Sequence, residues 1–163
     1  MKRLHVHVSA RDLDESIRFY SALFAAPPTI VRDDYAKWML DDPSVNFAVS
    51  QRGKAPGIEH LGIEATTREE LGEVYDRVRA AEGPMLDEGD TVCCYHRSEK
   101  SWVADPQGVA WEAFHTTGEA ADYGTGAELE RIAADACCTP ETPQGVCCAP
   151  KAGLAPDAPC CPG

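Results

Sequence analysis

The chain has 163 residues, with 15 Lys and Arg against 27 Asp and Glu and a net charge of −12. It offers no basic surface to track a phosphate backbone, so nucleic acid is not an expected partner. The length suits one domain with a real core, or two small modules sharing one. No run approaches the roughly 18 apolar residues of a membrane span. The opening "MKRLHVHVSARDLDES" lacks the apolar stretch of a secretory signal, so neither membrane association nor export is expected and the setting reads as cytoplasmic. In a reducing compartment the eight cysteines point to metal or redox chemistry rather than a disulfide framework. All eight occur as neighbours: Cys93-Cys94, Cys137-Cys138, Cys147-Cys148 and Cys160-Cys161. Adjacent cysteines make strained bridges.

In chain order, the first elements announce a repeat. "HVHVSARDLDESIRFY" from His5 aligns with "HLGIEATTREELGEVY" from His60, an offset of 55. Each copy reads as a strand and then a helix. In the first strand Leu4, Val6 and Val8 lie on one face with His5 and His7 on the other, as Leu61 and Ile63 oppose His60 and Gly62 in the second. Each helix opens with a capping box, Asp12 with Glu15 and Thr67 with Glu70, contributing about 1 kcal/mol per cap. Leu13, Ile17, Tyr20 and Phe24 form an apolar helical stripe, matched by Leu71, Val74 and Val78.

The rest of each copy reads as strands: "YAKWMLD" and "SVNFAVSQ" in the first, "KSWVAD" and "VAWEAFH" in the second, each pair turning at Asp-Pro. Aligning the pairs sets Trp38 against Trp102 and Phe47 against Trp111. The expected fold class is α+β, with tandem βαβββ modules spanning residues 1–52 and 58–116. After Thr117 the composition turns to Ala, Gly and Pro with few large apolar residues. Residues 117–163 therefore read as a flexible, disordered Cys-rich tail with one short helical turn near Ala127–Ala134.

Equivalent histidines on the first strand of each module would meet in a central cleft, where a metal is the natural occupant. A third donor is expected from an end strand, and Glu112 stands between bulky apolar neighbours, where a carboxylate is poorly tolerated unless paired or metal-bound. His7 shares the face of His5 and is the rival ligand, but its partner in the repeat is Gly62. His96 and His115 read as surface residues, His96 with the option of touching substrate.

These motifs together, the early histidine before "DLDESIRFY", the second in "EHLGI" and the late "WE", resemble the vicinal oxygen chelate superfamily of glyoxalases, extradiol dioxygenases and bleomycin-resistance proteins over residues 1–116. "TVCCYHRSEKSWVADPQG" followed by "WE" resembles, more narrowly, its organoarsenical carbon–arsenic lyases, relatives of the cadmium-induced proteins. The resemblance implies a glyoxalase-like fold, an Fe(II) cofactor on His5, His60 and Glu112, and a substrate held by Cys93 and Cys94, with Lys100 and Trp102 as further substrate-binding residues. The implied activity is dioxygen-dependent cleavage of methylarsenite or trivalent aromatic arsenicals to arsenite, a detoxification.

The chemistry of these residue types agrees. Two imidazoles and one carboxylate leave open positions on a cation, as in non-haem Fe(II) oxygenases. The first module aligns Ala48 with Glu112, so no fourth ligand is evident. Two thiolates grip thiophilic arsenic together only if their strand bends, because successive side chains on a straight strand face apart. "GDTVCCYHRSEKS" is therefore expected to be an irregular or mobile loop. The rival readings are another small-molecule dioxygenase indifferent to the thiols, and a protein that binds cadmium or a drug without turnover. A homodimer is an open option.

Overall fold

The structure, a computed structural model, describes residues 1–81 and 85–124. The elements run β1 (Arg3–Ser9), α1 (Leu13–Phe24), β2 (Ile30–Arg32), β3 (Tyr35–Asp41), β4 (Ser44–Ser50), β5 (Gly57–Glu64), α2 (Arg68–Ala80), β6 (Met85–Cys93), β7 (His96–Ala104) and β8 (Ala110–Glu119). This is βαβββ twice, as the repeat predicts. All eight strands join one mixed sheet in the order β2-β3-β4-β1-β5-β8-β7-β6. β1 pairs in parallel with β4, β5 in parallel with β8, and β1 meets β5 antiparallel at the centre. The order is its own mirror about that central pair, so the two modules sit edge to edge.

Both helices form where the caps predict. The Asp12 side chain accepts from Glu15 N at 2.8 Å and that of Thr67 from Glu70 N at 3.2 Å, each satisfying an amide that the first helical turn leaves free. Glu70 returns the bond to Thr66 N, one residue before the cap. Under α1, Leu13 and the fully buried Trp38 and Val49 form a core with Ile17, Tyr20, Phe24 and Phe47. Truncating Trp38 to Ala would cost about 3–5 kcal/mol. Under α2, Leu71 and Val74 pack on Ala113, Ile63 and Val78. Both helices cover one side of the sheet, leaving the other to the cleft. Among the described residues no helix is long and apolar enough to cross a membrane.

The strand registers shift one expected equivalence. His7 pairs with Ala48 and Gly62 with Glu112, while Lys37 pairs with Ala48 and Trp102 with Glu112. The counterpart of Trp102 is therefore Lys37, not Trp38. The β7–β8 loop is longer than the β3–β4 turn, and one residue of slip reverses every side chain on a strand. Trp38 accordingly lies under α1, donating from Nε1 to Ala26 O at 3.1 Å, whereas Trp102 packs edge-on to His60 at 5.0 Å.

The described chain also passes the boundary expected at Thr117. β8 continues to Glu119, Ala120 N donates to Tyr95 O at 2.8 Å, and Gly124 bridges to Cys93. Gly124 has φ +78°, and a Cβ there would collide with the Val92 carbonyl, so this return over β6 requires glycine. The helical turn expected at 127–134 and the three cysteine pairs beyond it lie outside the described residues.

Candidate metal and thiol site

His5 on β1, His60 on β5 and Glu112 on β8 converge on the uncovered side of the sheet, each about 5% exposed. The two Nε2 atoms are 3.2 Å apart, and Glu112 Oε2 lies 3.8 Å from that of His5 and 3.7 Å from that of His60. His5 Nδ1–H donates to the Asn46 carbonyl at 3.0 Å, which fixes the tautomer and leaves a lone pair on Nε2. His60 Nδ1 is buried without a partner, so its N–H can sit there and free Nε2 as a second donor atom. Burial lowers the pKa of both imidazoles, that of His60 furthest, with the neighbouring histidines adding to the effect at His60. Neutral imidazole is the ligating form.

His7 belongs to the same cluster. One nitrogen from each of His5, His7 and His60 lies within 4.8 Å of the others. His7 Nε2 is engaged by Ser50 Oγ at 3.0 Å, and its Nδ1 has no partner. Burial and His5 lower its pKa to about 3. The donor set built on Glu112 is tighter and supplies the negative charge a divalent cation needs, so His7 reads as the flank of the site. In the first module the register places Ala48 where the second has Glu112, so no second carboxylate enters from that side.

Glu112 divides its oxygens. Oε2 faces the imidazoles and Oε1 accepts from Lys100 Nζ at 2.6 Å. Lys100 therefore orients the carboxylate. Burial works against its charge, but Glu112 and the nearby Cys93 outweigh it and hold the ammonium above the ordinary lysine range. Trp102 Nε1 donates to Glu88 Oε2 at 2.9 Å, so this tryptophan backs His60 as a wall.

Cys93 and Cys94 open on the same cleft as His5, Lys100 and Glu112. The segment expected to be an irregular or mobile loop is instead two paired strands, with a bulge at Arg97/Ser98: β6 ends at Cys93, β7 starts at His96, and Cys94–Tyr95 form the turn. The required bend is there, compressed into two residues with φ +56° and +63°. Such left-handed turns match the twist of a hairpin, although side chains rarely adopt them. The bend brings the sulfurs to 3.2 Å, well beyond a disulfide bond of about 2.05 Å and close enough for one soft atom to bridge. The Cys94 thiol donates to Cys93 and holds its neighbour's pKa down. The shared proton, burial and the charge on Cys93 push Cys94 far up. Of the two, Cys93 gives up its proton first.

Further groups surround the sulfurs. Tyr123, from beyond β8, packs edge-on to Tyr95 at 5.5 Å and lies under the Arg52 guanidinium, 3.7 Å from its ring centre. Tyr95 OH donates to Asp34 Oδ1 at 2.7 Å, and Asp34 pairs with Arg52. The hairpin tip of the second module is thus tied to the first. His96 is half-buried on the cleft, with Nδ1–H donating to Cys94 O at 2.7 Å and Nε2 accepting from Lys37 Nζ at 2.8 Å. His115 is remote, its Nδ1–H given to Ala65 O at 3.0 Å. Lys37 carried a signal of its kind in the sequence, a charge between apolar neighbours in "YAKWMLD". Tyr123 had none, because its partners lie far from it in the chain.

Residues 2–113 match the model of the Glyoxalase/Bleomycin resistance protein/Dioxygenase superfamily. The chain is 37% identical to the trivalent organoarsenical cleaving enzyme of Bacillus sp. (strain MD1), over 93% of each protein. It is 31% identical to the trivalent organoarsenical cleaving enzyme of Thermomonospora curvata, over 99% of this chain and all of that one. Among solved structures, the Mn(II)-bound glyoxalase of Novosphingobium aromaticivorans superimposes with a TM-score of 0.53 at 16% identity, covering 77% of this chain and 44% of that one. That likeness concerns the fold alone. The doubled βαβββ sheet, the family-model match and relatives aligned along nearly the whole chain agree that this protein belongs to the Glyoxalase/Bleomycin resistance protein/Dioxygenase superfamily.

Proposed function

We propose that this protein cleaves the carbon–arsenic bond of trivalent organoarsenicals, using Fe(II) and dioxygen and releasing arsenite. The observation that carries the reading is the shared cleft: paired sulfurs 3.2 Å apart line the same space as His5 and Glu112, and His60 Nε2 reaches those two side chains at 3.2 and 3.7 Å. Relatives named for organoarsenical cleavage over almost the full length support it.

His5, His60 and Glu112 fit a divalent metal. Their three donor atoms converge with no protein hydrogen between them once His5 and His60 carry their protons on Nδ1. Two nitrogens and one oxygen suit iron, and the ligand set leaves positions open. Bound Fe(II) would supply the electrons that activate dioxygen. The chain's own residues do the rest. Asn46 O holds the His5 tautomer, and Lys100 aims the Glu112 carboxylate. Cys93 enters as the thiolate that attacks arsenic, and Cys94 closes the second bond, leaving the carbon arm unbound.

The cleft contains about 30 Å³ of free space, enough for about two waters. A protein that only sequestered metal would need no oxygen, so oxygen dependence separates that reading from cleavage. The test is anaerobic loading with Fe(II), addition of methylarsenite, and arsenic speciation before and after oxygen is admitted. Arsenite appearing only with iron and oxygen together, and not in a Cys93→Ser/Cys94→Ser variant, is the expected result. Methylarsenite persisting unchanged under all conditions would remove the proposal.

A further inference from the structure

Lys37 is buried, 7% exposed, on the cleft beside Cys93, Cys94 and His96. Its charge has no obvious structural reason. Lys100 across the cleft is matched by Glu112 at 2.6 Å, but among the described residues no carboxylate stands within ion-pair distance of Lys37 Nζ. Its one hydrogen-bond partner is the neutral ring of His96 at 2.8 Å. That ring is itself fixed, because Nδ1–H is committed to the Cys94 carbonyl. A buried cation without a counter-charge destabilises the fold, so a hydrophobic residue would serve stability better. The ammonium has three N–H bonds and His96 takes one. The others are available to a guest at the sulfurs.

We infer that Lys37, held in place by His96, gives a proton to the oxygen that departs from arsenic as Cys93 and Cys94 capture the substrate. This rests on the arsenical reading above. A monosubstituted trivalent arsenical in water carries two hydroxyl groups. In each capture step a sulfur lone pair forms an S–As bond while an As–O bond breaks. The oxygen leaves with that electron pair, takes a proton from Nζ and departs as water. The Cys94 thiol proton and one proton from solvent restore the amine, so one thiolate, one thiol, one proton and two As–OH groups become two S–As bonds and two waters, with no oxidant. Burial draws the Lys37 ammonium below the ordinary lysine range, with Glu64, Cys94 and Glu119 opposing, which makes it a readier donor than a surface lysine.

The test uses the full-length, metal-free protein and two forms of one substrate: methylarsenite as its dihydroxy form, and methylarsenite carrying two glutathiones, whose thiolates leave without a donated proton. The readout is the rate at which each form protects Cys93 and Cys94 from maleimide, followed by mass spectrometry of their peptide. Lys37→Met and Lys37→Gln are expected to slow capture of the dihydroxy form by about 10- to 100-fold and to leave the glutathione form nearly unaffected. Thermal unfolding of Lys37→Met should match or exceed that of the parent. Equal slowing of both forms in both variants, or of neither, overturns the role of Lys37. Failure of either form to protect the parent protein's thiols would instead overturn the arsenical reading.

Discussion

The first module sets His5, His7, Ala48 and Lys37 at the positions where the second sets His60, Gly62, Glu112 and Trp102. On the helix-covered side the modules remain alike: a capped helix over an apolar stripe, then strands turning at Asp-Pro. On the cleft side they keep one histidine each and diverge at every other position. The divergence is complementary in size. His7 faces Ala48 and Gly62 faces Glu112, so each module spends its room once, on an imidazole or on a carboxylate. A Cβ at Gly62 would sit 2.6 Å from the Glu112 carbonyl oxygen and 3.1 Å from its Cβ. The glycine is what lets β8 bring its carboxylate against β5. Duplication supplies the symmetric frame, and the chemistry comes from where that symmetry is broken.

The hardest blow is to make the second module copy the first. Glu112→Ala should abolish metal binding and turnover and leave Lys100 buried without its partner, destabilising the fold by about 3–5 kcal/mol. Metal titration and urea unfolding would show both losses. A smaller intrusion, Gly62→Ala, should push β8 away from β5, cost about 1–3 kcal/mol of stability and lower turnover about 10²-fold by displacing the carboxylate. Normal kinetics in that variant would mean the close approach is irrelevant.

Acid should act through the imidazoles, of which the first module supplies two. Their folded pKa values lie below the unfolded value of about 6.5, His7 reaching about 3. As pH falls below about 6.5 the unfolded chain takes up protons first, so stability is complete above that point and is lost progressively toward pH 3. Urea midpoints of the metal-free protein that stay level between pH 7 and 5 would contradict this. The smallest effect belongs to what the modules share: Asp12→Ala and Thr67→Ala should each cost about 1 kcal/mol and leave turnover unchanged. A fall in activity from either would tie the helix side to the chemistry.

Much of this was legible because it is local or periodic. The caps, the apolar stripes and the alternation of His5 and His7 against Val6 and Val8 depend on residues a few places apart. His5, His60 and Glu112 could be singled out because repetition and an ill-placed charge each leave a trace in one dimension. Trp38 and Trp102 could not be told apart, since their faces depend on loop length and one residue of register. The hairpin at Cys94–Tyr95 was hidden because neither residue is a usual left-handed turn former. The return of Tyr123 over Tyr95 was hidden because a change of composition at Thr117 does not reveal a strand that continues through it.

The central claim is that metal and arsenical share one cleft. The electron paramagnetic resonance spectrum of the nitric oxide adduct of the Fe(II)-loaded protein, recorded with and without methylarsenite, tests it most directly. The account predicts a spectrum that changes on adding methylarsenite in the parent and stays the same in the Cys93→Ser/Cys94→Ser variant. A spectrum in the parent indifferent to methylarsenite would contradict it.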